Sequence, residues 1–116
     1  MSTQLTIGQF MDILTKFKPD EELFHGVRLC EPYLGDLSNA TLIMNDDGGR
    51  GTVHEIFKIL NDATGKVHLD VNNMKRTITR DCKLYLSYEG CYGKVITGLE
   101  ITPRGLNFKV DREHFN

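Results

Sequence analysis

A chain of 116 residues with 40% hydrophobic and 26% charged side chains has the size and composition of one folded domain spanning 1–116, able to form a core without disulfides or structural metal. A formal net charge of −2 excludes a global field for nucleic acid or anionic lipid, so no general nucleic-acid binding is expected and any anion site must be local. Three cysteines, Cys30, Cys82 and Cys91, an odd number without a CxxC pair, argue against a disulfide framework and, with no secretory leader and no run of ~20 apolar residues, for a cytoplasmic protein without a membrane segment.

The first predicted element is a helix over 6–18. Ile7, Phe10, Met11, Leu14 and Phe17 fall on one helical stripe. Thr6 with Gln9 three residues later is a capping-box pattern, and Pro19 marks the end. The stretch 22–30, ELFHGVRLC, reads as extended, with Leu23, Val27 and Leu29 on one face and His25 between them. Pro, Gly, Asp, Ser and Asn then mark a loop. ATLIMN, from Ala40, is a short apolar run suited to a strand buried on both faces.

A glycine-rich turn, DDGGRGT, leads into a second helix. Thr52 and Glu55 repeat the cap pattern, Val53, Ile56, Phe57 and Leu60 form its stripe, and Gly65 ends it. The second half reads as a β-meander. KVHLDV places Val67, Leu69 and Val71 inward, Asn72-Asn73 suits a two-residue turn, and MKRTITR runs back. KLYLSY turns at Glu89-Gly90, KVITGLEI returns, Pro103 and Gly105 suit a tight turn, and Leu106, Phe108 and Val110 share the last strand's face. The fold class expected is α+β: two short helices packed on a mostly antiparallel β-sheet with a C-terminal β-meander.

A buried strand, a glycine turn and a helix start together resemble what a phosphate requires. Amides converge without Cβ atoms in the way, and the helix end adds partial positive charge. Gly48, Gly49 and Gly51 would give the approach, Arg50 a bidentate fork and Thr52 a hydroxyl. Against this, the loop is neither GxxxxGK[ST] nor GxGxxG, and Asp46 and Asp47 set two negative charges beside it. The competing readings are a β-to-α connection capped by Thr52 and a divalent-metal role for the aspartates. Arg76 and Arg80 lie on one side of a predicted strand, about 7 Å per two-residue step, and with Lys94 are supplementary cations; the alternative is a charged edge strand kept from aggregating.

Other chemistry has weaker support. His54-Glu55 begins like HExxH, but Lys58 stands where the second histidine belongs. His25, His54, His68 and His114 lack ligand spacing, so no metal is expected and no cofactor motif is present. Cys30 and Cys82 suit buried thiols, whereas Cys91 sits in a turn. Tyr33, Tyr85, Tyr88 and Tyr92 form no nucleic-acid-binding pattern and fit sheet surface or a protein interface.

The opening LTIGQFMDILTKFKPDEELF carries Thr6-Ile7, Phe10, Leu14, Pro19-Asp20 and Glu22-Leu23. Over this first quarter the chain resembles small phage and prophage proteins of unknown function that begin with a Thr-capped helix, a Pro-Asp step and a strand. The resemblance implies an accessory protein, often without catalysis, made in an infected bacterial cell, and it transfers no catalytic residue. The leading expectation is therefore a non-enzymatic protein that sequesters a phosphate-bearing small molecule such as a nucleotide signal, through Gly48, Gly49, Arg50, Gly51 and Thr52, with self-association into a homo-oligomer. The alternatives are a module that inhibits a bacterial host protein and a metal-dependent phosphohydrolase using Asp46 and Asp47.

Overall fold

The computed structural model describes residues 4–23, 25–32, 39–45, 49–69, 73–87, 94–103 and 105–111. Among these residues the α+β architecture has two helices and nine strands, and most strand pairs are antiparallel.

Helix α1, Ile7–Leu14, begins where its cap predicts. The Gln9 amide donates to Thr6 Oγ1 at 3.2 Å, and the Thr6 amide donates to Gln9 Oε1 at 3.0 Å. Ile7, Phe10, Met11 and Leu14 are all buried. The helix stops at Leu14, earlier than predicted, because the next amides tighten: Lys16 donates to Ile13 O and Phe17 to Leu14 O. Phe17 packs on the core from this turn. Thr6→Ala is expected to cost about 1 kcal/mol in urea unfolding, and Thr6→Ser to restore most of it, since the amide of Gln9 loses and regains its acceptor.

The predicted extended stretch divides into β1, Glu22–Leu23, and β2, Val27–Pro32. A bulge between Val27 and Leu29 shifts the register against β3. Alternation therefore changes phase: Val27 and Cys30 are buried, whereas Leu29, expected inward, is exposed. At the bulge Arg28 Nη1 donates to Met44 O at 3.1 Å.

Strand β3, Asn39–Met44, is buried except for half-buried Ile43, as a strand covered on both faces should be. After β4, Gly51–Thr52, comes α2, Val53–Ala63. Thr52 Oγ1 caps it by accepting from the Glu55 amide at 3.2 Å, and Val53, Ile56, Leu60 and Ala63 are its buried stripe. Gly65, at φ +83°, turns the chain away.

The predicted meander divides in two. Strands β5, Val67–Leu69, and β6, Lys75–Thr77, form a separate two-stranded ribbon outside the main sheet. Val67 and Leu69 point outward, opposite to expectation, and the register pairs Leu69 with Lys75. Asn73 does adopt φ +59°; Val71, Asn72 and the Glu89-Gly90 turn lie outside the described residues. Strands β7, Lys83–Ser87, β8, Lys94–Thr102, and β9, Gly105–Asp111, do make an antiparallel meander. Thr102 pairs with Gly105, at φ +125°, across the predicted Pro103 turn.

The main sheet runs in the order β2-β3-β7-β8-β9-β1-β4. Only residues 24–26 separate β1, sixth in that order, from β2, the first, so the sheet must roll toward closure. Its ends meet at a seam: the Gly26 amide donates to Gly49 O at 2.9 Å, while the Asn45 amide, donating to Gly26 O at 3.0 Å, continues the β2–β3 ladder up to it. The N-terminal segment closes a second gap. Among the described residues, β7 and β8 pair directly at Tyr85↔Val95 and Leu86↔Lys94. Beyond that pair Leu5 sits between them, donating to Ile96 O at 3.0 Å and accepting from the Leu84 amide at 2.9 Å. Both helices pack on the core, where Phe10 of α1 stacks on Phe108 of β9 with ring centroids 6.0 Å apart.

Candidate functional site

The glycine loop is built around the seam. Gly49 O accepts from the Gly26 amide and from Asn45 Nδ2 at 3.3 Å. Gly51 belongs to β4 and pairs with Leu23. A Cβ on Gly51 would lie 3.1 Å from Gly26 Cα, so this glycine permits two backbones to approach closely. Thr52 Oγ1 is the helix cap. Arg50 lies 3.6 Å from Glu22, with both side chains well exposed, a pairing worth little in water. Gly48, Asp46 and Asp47 lie outside the described residues.

The supplementary cations have separate surroundings. Arg76 is buried, and its Nη2 donates to Asn39 O at 3.4 Å. Arg80 lies against Gly8 and Met11 of α1, with Nη2 3.7 Å from Asp12. Lys94 opens onto a pocket of about 280 Å³, together with His25, Lys109, Asn107, Glu100, Phe108 and the edges of Met44, Leu86 and Val110. This pocket adjoins the seam: His25 precedes Gly26, and Met44 precedes Asn45, the two residues joined by the Asn45 amide to Gly26 carbonyl bond.

The pocket has a plausible anion-binding chemistry. Lys94, Lys109 and His25 bring basic nitrogens, Asn107 brings an amide, and among the described lining residues Glu100 is the one carboxylate. Asn107 and Glu100 are cross-strand partners in the β8–β9 register. Phe108 supplies an apolar wall. The sequence reading selected Lys94 but missed His25, Asn107 and Lys109. The signal for Asn107 and Lys109 was the meander itself, whose neighbouring strands both carry lysine. Finding it required the β8–β9 register, which a bulge between Ile96 and Gly98 shifts.

A second hollow, about 310 Å³, lies between the end of α1 and the start of α2 and is mainly apolar, lined by Leu14, Phe17, Pro19, Val53, His54 and Phe57. Cys30 and Cys82 are buried free thiols. Burial, then Cys82 and Glu31, raise the Cys30 pKa to about 12, so its thiolate is scarce at neutral pH and the residue is a poor nucleophile. His68 Nε2 lies 3.0 Å from Ala63 O, and His54 is exposed. Tyr85 is buried. Cys91, His114, Tyr33, Tyr88 and Tyr92 lie outside the described residues. Among the described residues no cluster of three His, Cys, Asp or Glu side chains is arranged to hold a metal, and no helix is long and apolar enough to cross a membrane. No protein-family model, curated protein or solved structure matches the chain.

Proposed function

We propose that the protein is a non-enzymatic binding protein that sequesters a phosphate-bearing small molecule such as a nucleotide signal, in the pocket between the seam and the β8–β9 hairpin. The observation that carries this reading is the gathering of His25, Lys94 and Lys109 around one pocket of about 280 Å³ beside the glycine loop. Charged donors bind phosphate oxygens strongly when held on rigid strands. The volume is at the small end for ligand pockets, which favours a mononucleotide-sized guest. Gly49, Gly51 and Thr52 then shape the rim, and Arg50 stays peripheral. The N-terminal resemblance supports an accessory role in the cytoplasm of an infected bacterial cell.

A thermal-shift screen with inorganic phosphate, mononucleotides and cyclic nucleotides tests this reading. A ligand at 100 times its Kd adds about 2.7 kcal/mol of stability. Lys94→Ala is expected to weaken binding by about tenfold or more, the loss of one charged hydrogen bond, whereas Arg50→Ala leaves the shift in place. A screen with no shift, or a shift indifferent to Lys94→Ala and Lys109→Ala, refutes the pocket. The same samples, examined by sedimentation, report the expected homo-oligomer. Inhibition of a bacterial host protein is the second reading; the apolar hollow between α1 and α2 favours it, and there Phe57→Ser would abolish inhibition while Lys94→Ala would not.

A further inference from the structure

The β5–β6 ribbon is patterned inside out. His68 and Arg76 are cross-strand partners, and these polar side chains face the body of the protein. Arg76 is only 7% exposed and reaches Asn39 O, while His68 reaches Ala63 O. Side chains alternate along a strand, so Val67 and Leu69 point the other way. They are 62% and 64% exposed, and Met74, beside β6, is 63% exposed. A slip of one residue would turn the apolar pair inward; the polar anchors on the inner face hold the opposite register.

The outward face also has a charge. Lys75 is the direct partner of Leu69, and Thr77 that of Val67; Lys75 is exposed. Among the described residues of this face there is no carboxylate. We infer that the outer face of the β5–β6 ribbon docks a protein partner that presents an apolar segment flanked by carboxylates. The apolar centre supplies contact area and the basic flank supplies orientation and selectivity. A second copy of this face would offer Lys75 another Lys75 and no described carboxylate, which is why an acidic partner fits better than a ribbon-to-ribbon dimer. This inference is independent of the pocket.

The test uses the full chain and two fluorescein-labelled peptides, one alternating glutamate with valine and leucine, the other with lysine in place of glutamate. Fluorescence anisotropy is expected to show saturable binding of the acidic peptide, about tenfold tighter or more than its lysine counterpart, and weakened near 0.5 M salt, an ionic strength of about three times physiological. Val67→Ser with Leu69→Ser should remove it, and Lys75→Glu should erase the preference for acid. These positions are exposed, and an unchanged melting temperature verifies the fold. Equal affinity for the two peptides, no binding of either, or binding that survives the double serine variant overturns the inference. So does a dimer that Leu69→Asp splits into monomers, or co-sedimentation with phosphatidylserine-containing vesicles that the same variant abolishes.

Discussion

Gly26→Ala is expected to destabilise the protein by about 2–3 kcal/mol, the cost of forcing a methyl group into a filled site, and to lower Tm by about 10 °C for a chain of this length. A Cβ there would lie 2.6 Å from Asn45 Nδ2 and 2.8 Å from both Arg50 C and Gly51 N. The first contact is with a side chain that can turn aside. The other two are with the backbone of the opposing segment, which moves only if the seam opens. Opening it strains the bond from the Gly26 amide to Gly49 O. Asn45→Ala should therefore fail to rescue Gly26→Ala. Gly98→Ala is the control, because nothing lies within 4 Å of its Cβ position, and its effect should stay within about 0.5 kcal/mol. Urea unfolding of both variants gives the comparison, and equal stabilities would show that the seam is not tight. Ligand binding should weaken along with stability in Gly26→Ala, since His25 enters the pocket from this turn.

Phe10→Ala is expected to cost about 3–5 kcal/mol, the usual range for truncating a fully buried phenylalanine. Phe10 is 0% exposed, and its ring lies 22° from parallel to that of Phe108. About 0.5–1.5 kcal/mol of the loss belongs to the aromatic pair beyond area burial. A double-mutant cycle with Phe10→Leu and Phe108→Leu isolates that part. Against a typical total of about 5–15 kcal/mol, the alanine variant loses a large share of its stability. A cost below about 1 kcal/mol would mean that α1 does not depend on this packing. Phe108 also walls the pocket, so Phe10→Leu should loosen ligand binding before it unfolds the chain.

Much of the fold is legible in local chemistry. Thr6, Thr52, Gly65 and the Pro103–Gly105 step announce helix starts, a helix stop and a turn, because each satisfies or redirects the backbone with its own atoms. The apolar run 40–44 announces a covered strand because nothing polar interrupts it. Leu29 and the pair Val67 and Leu69 were misread for one shared reason. Alternation tells which residues share a face, and it does not tell which face is inward. At Leu29 a bulge changes the phase. At β5 the polar contacts of His68 and Arg76 set it. The glycine loop shows the same need for tertiary context. Its glycines signal close approach, and at Gly51 the approaching group is the Gly26 backbone. Lys94 was legible as a cation, but of its pocket companions Lys109 comes from a strand placed only by long-range register and His25 from the short step between β1 and β2.

The insertion of Leu5 between β7 and β8 has a consequence for synthesis. Both of its hydrogen-bond partners, Leu84 and Ile96, leave the ribosome long after Leu5 itself. A nascent chain arrested before residue 96 keeps Leu5 without one of its two neighbours, and β1 likewise waits for Leu106. Native topology is thus completed late, and pairings this distant along the chain make the final step slow relative to local helix formation.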